Sequence, residues 1–318
     1  MSLGLERTKS IQGLRLLFVL GVVFTHANKS FVGEGVELCS FFFIVSGFLF
    51  TNRFTGINYV KHKLKQMYPV YFFFLIIMTI GLVVKNHSLD VIETDFLLHL
   101  FLLQSYVVGD AALAVKYLGP AWFLSSLLLC YALAPTISKY LRPLHRKGSF
   151  FLLLLLYAIG VFYLTWLSGK DNETWWGYVN PLFRFGEYLL GILLSKCLEG
   201  IDERNVNFQI ISLLILVVYV GLIASCAFGA CSGILHIFMI AFVYLWRSTW
   251  LDAILGNRVI LRLSRHCLFI FLGHFPFLIA LMKLGVSSIM AALFSTLICV
   301  LFGELYMYIL NIKNRKNV

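Results

Sequence analysis

Long apolar runs dominate this chain and leave it few ways to fold. Residues 210–227 carry no charge, and Phe150 to Leu156 is aromatic or leucine throughout. A run of about 20 apolar residues spans a bilayer as a helix. Hydrophobic residues make up 60% of the chain and charged residues 13%, with a mean hydropathy of +0.88. Soluble domains run near a quarter charged. Together these features predict an all-α integral membrane protein with many spans. The first run keeps an internal arginine and histidine and ends in Asn28-Lys29, with further spans behind it. It is therefore expected to be a retained helix rather than a cleaved leader.

Hydropathy places a bundle of about ten transmembrane helices, approximately at 11–28, 36–52, 68–84, 120–138, 149–168, 178–196, 208–228, 231–247, 266–283 and 285–310. Segment 95–107, DFLLHLFLLQSYV, is too short and polar to span and reads as a re-entrant or interfacial helix. With the N-terminus in the cytoplasm, 19 of the 26 Lys and Arg residues fall on inner segments and 5 on outer ones, while Arg15 and Arg184 lie within spans. This bias obeys the positive-inside rule and predicts both termini in the cytoplasm of a multi-pass plasma (inner) membrane protein. It also accounts for the net charge of +11, so no nucleic-acid partner is expected. No segment reads as a soluble domain, and residues 1–318 are expected to form a single transmembrane domain.

The seven cysteines show no CxxC and no metal-site spacing, and no metal is expected. Most lie in apolar runs, where cysteine behaves as a small hydrophobe. Cys226 and Cys231 flank a short turn and are the candidate disulfide pair. No Walker-type loop, GxSxG elbow or HExxH occurs, which leaves ATP-driven transport and zinc proteolysis without support.

Arg15 and His26 stand out inside the first span. Eleven residues at 100° each make about 1100°, within about 20° of three full turns. Both side chains therefore leave the helix on one face, separated by a rise of about 16 Å. Two readings fit. Arg15 snorkels to inner headgroups while His26 sits at the outer interface. Alternatively, both line a polar cavity, where histidine suits general-base work.

IQGLRLLFVLGVVFTH, followed by GEGVELCSFFFIVSGFLF, resembles the opening of the membrane-bound acyltransferase family three. Members carry an Arg, ten residues and a His, then a Gly-Val-acidic turn and a Phe-rich helix ending in Ser-Gly-Phe-Leu. The matching residues are Arg15, His26, Gly35, Val36, Glu37, Phe42, Phe43, Ser46, Gly47, Phe48 and Leu49. KHKLKQMYPVY, AWFLSSLLLCYALAP, FRFGEYLLGILL and CLFIFLGHFPFL resemble later family segments, in family order. The resemblance implies transfer of an acyl group, most often acetyl, from coenzyme A to a hydroxyl. The acceptor it implies is a sugar of a surface polysaccharide or its lipid-linked precursor. It makes His26 the catalytic residue and Arg15 its partner. Two positions depart from the pattern. Lys63 and Gln66 stand where members show Arg-x-x-Arg, and Leu127 stands where some carry an acid. The chain ends without the esterase-like domain that some members append, so no second acyl-handling step is expected on it.

Lys63, Lys65, Arg262 and Arg265 are expected to hold the phosphates of acetyl-CoA at the cytoplasmic mouth. Arg184 and Glu187 share a helix face and read either as a structural ion pair or as part of the substrate site. His274, beside an expected kink at Pro276, reads equally as a substrate-cavity residue or a packing hydrogen bond. Trp122 reads as an interface anchor or a sugar platform, and Trp175 and Trp176 as outer-belt anchors. Ser46-Gly47 is expected to permit close helix packing. Asp171, Glu173, Asp202 and Glu203 read as solvated loop charges.

The resulting expectation is an O-acetyltransferase that uses acetyl-CoA on a carbohydrate or lipid-linked sugar. A transporter or flippase for a glycolipid or small anion is the alternative. Against it stand the lack of an inverted pair of broken spans and a polar stripe that ends in one histidine. A non-catalytic assembly subunit is a third reading, kept by Gln66 and Leu127.

Overall fold

The computed structural model describes residues 9–28, 35–51, 56–167, 175–201, 206–224, 233–247 and 249–316, and no strand occurs among them. Helices α1 (Lys9–Ala27), α2 (Gly35–Phe48) and α3 (Ile57–Asn86) open the chain. A short-element segment follows, with α4 (Phe96–Leu100), a 3-10 turn at Gln104–Tyr106, α5 (Ala111–Val115) and a 3-10 turn at Gly119–Ala121. Then come α6 (Trp122–Leu141), α7 (Arg146–Leu167), a π turn at Trp175–Val179, α8 (Pro181–Leu198) and α9 (Val206–Ala224). The chain continues through α10 (His236–Leu245), α11 (Trp250–Leu255), α12 (Arg258–Ser264), α13 (Cys267–Lys283) and α14 (Ser288–Lys316).

Every segment expected to span overlaps one of these helices. Among the described residues, five helices are long and apolar enough to cross a membrane: α1, α3, α6 with its leading 3-10 turn, α7 and α14. A sixth is added if α12 and α13 count as one bent span. The others fall short for two physical reasons. Apolar α2 and α10 are shorter, α9 contributes the stretch Gln209–Gly221, and α8 carries Arg184, Glu187 and Lys196. The 95–107 segment forms only α4 and a 3-10 turn, too short to span.

The bundle sorts into inner and outer helices. The apolar windows of α1 and α6 are 56% and 67% buried, whereas that of α7 is 17% buried. Phe162 on α7 and Val217 on α9 are among many large apolar side chains that face outward. Such a surface is costly in water and neutral in lipid. The most extensive helix contact is α2 against α8. A Cβ on Gly47 would collide with the Tyr188 carbonyl, and one on Gly191 with the Ile44 carbonyl. The two glycines let the two backbones approach, as expected at Gly47. Helix α8 starts cleanly because Asn180 Oδ1 accepts the Leu182 N–H at 2.9 Å and Pro181 occupies the first turn.

The expected kink at Pro276 is displaced. Helix α13 runs on through Pro276, and the 62° bend lies between Ser264 and Cys267. There the N–H groups of Arg265 and His266 bond three residues back, to Arg262 and Leu263, which ends α12 in a tightened turn. Membrane helices tolerate proline when neighbouring helices and local adjustments satisfy the freed backbone groups.

Hydrogen bonds pin the segment between α3 and α6. Lys116 Nζ reaches Asp95 at 2.6 Å and Glu93 at 2.9 Å, and the Tyr117 hydroxyl lies 3.0 Å from Asp95. Burial alone would raise the Asp95 carboxyl, but bonds from Lys116 and Tyr117 carry it below its ordinary value. His99 is fully buried behind Tyr117. Burial lowers its imidazole to about 4, against an opposing backbone contact at Leu113.

Cys226, Cys231, Asp171, Glu173, Asp202 and Glu203 lie outside the described residues, as does the side chain of Trp176.

Candidate active site

His26 lies in the last turn of α1 and is exposed, while His274 on α13 is fully buried. His274 Nε2 is 3.2 Å from His26 Nδ1. The backbone settles the tautomers. His274 Nδ1 is 2.8 Å from the Ile270 carbonyl, which can only accept, so Nδ1 carries the hydrogen. The neutral His274 ring then presents Nε2 as an acceptor. His26 Nδ1 is 2.9 Å from the Val22 carbonyl, another pure acceptor. Its hydrogen is shared between that carbonyl and His274 Nε2. The lone pair of His26 is therefore on its own Nε2, which bonds to no described residue. Phe275 packs its edge against His26 at 5.6 Å between centroids. A Cβ on Gly119 would press on the same Phe275, so the second 3-10 turn lies over this end of the site.

Three turns earlier on α1, Arg15 acts electrostatically on Lys63 of α3, Tyr131 of α6 and Cys267 of α13. Cys267 and His274 are seven residues apart, two helical turns. The Arg15–His26 face of α1 thus runs along one face of α13, as the eleven-residue spacing predicts. Arg15 Nη1 donates to Gln12 Oε1 at 2.7 Å. Lys63 Nζ sits over the rings of Tyr131 at 5.4 Å and Tyr59 at 5.5 Å. Tyr59 and Tyr188 meet through their hydroxyls at 3.3 Å. No ion pair joins Arg15 or Lys63 to a carboxylate among the described residues. Two neighbouring cations in an apolar bundle repel unless an anion lies near them. The arrangement makes Arg15 and Lys63 a candidate anion site.

Arg184 and Glu187 anchor a third polar group. Arg184 Nη1 donates to Glu187 Oε2 at 2.7 Å and to Ser40 Oγ at 2.8 Å, and Nε donates to the Tyr178 carbonyl at 2.8 Å. The guanidinium also stacks over Trp122 at 5.3 Å and Phe43 at 5.5 Å. Trp122 is 2% exposed and Trp175 is also buried. Neither is the interface anchor expected from its position. The buried arginine needs an aromatic lid more than the membrane surface needs an anchor.

The basic residues expected to work together are divided. Lys63 joins Arg15, whereas Arg262 donates its Nε–H to Glu304 at 2.8 Å, and His266 meets the same carboxylate at 3.1 Å. Lys65 and Arg265 are exposed. Residue reading missed Tyr59, Tyr131 and Tyr188. Tyr131 and Tyr188 stand inside quoted segments, but a tyrosine in an apolar run carries no local sign that it will meet a lysine.

The sequence matches the family described as acyltransferase domain over residues 8–307. A protein named "Putative O-acetyltransferase" from Staphylococcus aureus (strain COL) is 23% identical over 303 residues, covering 83% of this chain and 50% of that relative. The protein named "O-acetyltransferase OatA" from Staphylococcus aureus (strain NCTC 8325 / PS 47) is 21% identical over 206 residues, covering 58% of this chain and 34% of that relative. The chain spans about half the length of the first of these, and of other curated relatives it matches equally. No solved structure matches it significantly.

Proposed function

The chain belongs to the acyltransferase domain family, and from that membership we propose that it is an integral membrane O-acyltransferase moving acetyl from acetyl-CoA to a hydroxyl of a surface polysaccharide or lipid-linked sugar. The observation that carries this reading is the His26–His274 pair, with one ring nitrogen left as a base. A hydroxyl is a poor nucleophile near neutral pH, and a positioned base supplies about 10²–10⁴-fold. His26 Nε2 takes the hydroxyl proton as the oxygen attacks the thioester carbon. The C–S bond then breaks, and the coenzyme A sulfur leaves with the proton returned from His26. The imidazolium formed in between keeps its Nδ1–H on Val22 and His274, as an orienting acceptor does in a catalytic triad.

Arg15 and Lys63 take the anionic arm of the donor, with Lys65 and Arg265 at the mouth. Arg262 is partly neutralised by Glu304 and contributes less. Arg184, Glu187 and Trp122 hold α8 to α2 and α6 rather than touching the acceptor. His274 is likewise assigned to orienting His26. In this reading α1, α2, α3, α6, α7, α8, α9, α10, α13 and α14 cross a plasma membrane with both termini in the cytoplasm. The short α2 and α10 are buried largely in protein, so they need not match the lipid thickness.

Sealed vesicles of known orientation test the reading. Radiolabelled acetyl-CoA supplied to the cytoplasmic face alone is expected to label a glycan acceptor on the opposite face. Absence of label with donor and acceptor on any combination of faces would overturn it. Glycolipid movement without acetylation would mark a transporter instead.

A further inference from the structure

A cavity of about 250 Å³ opens where α2, α6 and α8 end, away from the histidine pair. Phe50, Ser138, Arg142, Ser195, Lys196 and Glu199 line it. Arg142 is exposed and Lys196 half-buried, and neither forms an ion pair among the described residues. Lys196 Nζ approaches only the Arg142 carbonyl, at a weak 3.4 Å. At 3.4 Å that contact is a weak cap on the end of α6, and the last turn of α8 is served by Arg146, which donates its Nε–H to the Cys197 carbonyl at 2.8 Å. The carbonyls of a helix C-terminus present roughly half a negative charge. Arg142 and Lys196 bring two cations without a carboxylate partner among the described residues to a cavity that holds one exposed carboxylate, Glu199.

We propose that this cavity binds a phosphate ester that also carries a hydroxyl. Arg142 and Lys196 hold the phosphate oxygens, and Glu199 accepts from the hydroxyl. The volume lies below the roughly 300–1,000 Å³ of sites that enclose a drug-sized ligand, so the cavity takes a head group rather than a whole cofactor. Two ligands share this chemistry: the ribose phosphate end of the acyl donor and the glycerol phosphate head of an anionic lipid. Position favours the donor. Phe50 packs on Tyr59 at 5.2 Å and on Tyr188 at 6.5 Å, the first of which carries Lys63 beside Arg15. The cavity therefore adjoins the candidate anion site of Arg15 and Lys63. The choice of donor rests on the acetyl-CoA reading; the phosphate site does not.

The test compares the full chain with Arg142→Gln/Lys196→Gln in nanodiscs. One arm measures binding of adenosine 3′,5′-bisphosphate in phosphatidylcholine discs. The other measures phosphatidylglycerol retained by native mass spectrometry. Losing two charge-assisted contacts is expected to weaken one probe by about tenfold or more. Loss in the first arm identifies the donor nucleotide as the ligand, and loss in the second identifies the lipid. Ser195→Leu, which fills the cavity and leaves both charges, is expected to give the same loss and serves if the double variant does not fold. Unchanged binding of both probes in either folded variant overturns the site. Because both arms read binding, a chain inactive toward acetyl-CoA would still report on it.

Discussion

Arg184 and His26 are both ionisable, and both stand in largely apolar helices, yet the fold treats them in opposite ways. Arg184 is fully buried, and Ser40, Glu187 and the Tyr178 carbonyl take up its donors. His26 is exposed, with Nδ1 bonded and Nε2 free of described partners. A buried charge tied to a carboxylate, a hydroxyl and a carbonyl is committed to holding helices together. A ring with one nitrogen fixed and one open is set to move a proton. Intramembrane charge thus divides into frame and chemistry by what remains unsatisfied, not by its cost.

The largest expected effect is on the chemistry. His26→Ala should abolish acyl transfer, a loss on the order of 10²–10⁴-fold, while the protein still inserts and accumulates. Activity of purified variant near the parent value would remove His26 from its role.

The framing pair should respond in stability instead. Glu187→Ala leaves a buried guanidinium without its carboxylate and should cost about 3–5 kcal/mol. The double change Arg184→Met/Glu187→Leu should recover most of it, because neither charge is then stranded. Thermal unfolding in detergent reads both. If the double variant is as unstable as the single one, the pair does more than satisfy itself.

Arg15→Lys sharpens the comparison from the donor side. One ammonium cannot copy a five-donor fork, so donor affinity should fall about tenfold while folding is kept. Unchanged affinity and rate would return Arg15 to a snorkelling role.

His274 separates orientation from binding. His274→Phe removes one of the two acceptors for His26 Nδ1–H, leaving the Val22 carbonyl, and should lower kcat about tenfold with KM unchanged, whereas His274→Gln keeps a second acceptor and should retain most of the rate. Equal loss in both variants would make His274 a packing residue.

The smallest effect lies outside the spans. His99 is held at about 4 in the folded chain, below its unfolded value of about 6.5. The unfolded segment therefore binds a proton first as pH falls. His99 costs nothing above about pH 6.5 and destabilises its segment progressively between there and about pH 4. Hydrogen exchange across residues 96–117 should rise about tenfold on going from pH 7 to pH 5, after correction for intrinsic rates. His99→Phe should flatten that rise; the same slope in the variant would assign it to other groups.

Much of this architecture was legible in the residues because its causes are local. Apolar runs long enough for lipid specify helices, and the 3.6-residue period alone puts Arg15 and His26 on one face. Gly47 announces a close approach because nothing larger fits between two backbones. The same local logic placed Arg184 beside Glu187, three residues on. It erred where a neighbour in space decides. Trp122 looked like an anchor until the guanidinium it covers came from another helix.

The sequence by itself determined a helical membrane chain, the polar face of α1 and the family to which it belongs. Tertiary structure alone decided that His274, 248 residues away, gives His26 a second acceptor. It also decided that Lys63 lies over Tyr59 and Tyr131 while Arg262 turns to Glu304, and that the bend falls before Cys267 rather than at Pro276. Periodicity sets which side chains share a face. Which faces meet depends on packing among helices far apart in the chain, and hydropathy carries no record of it.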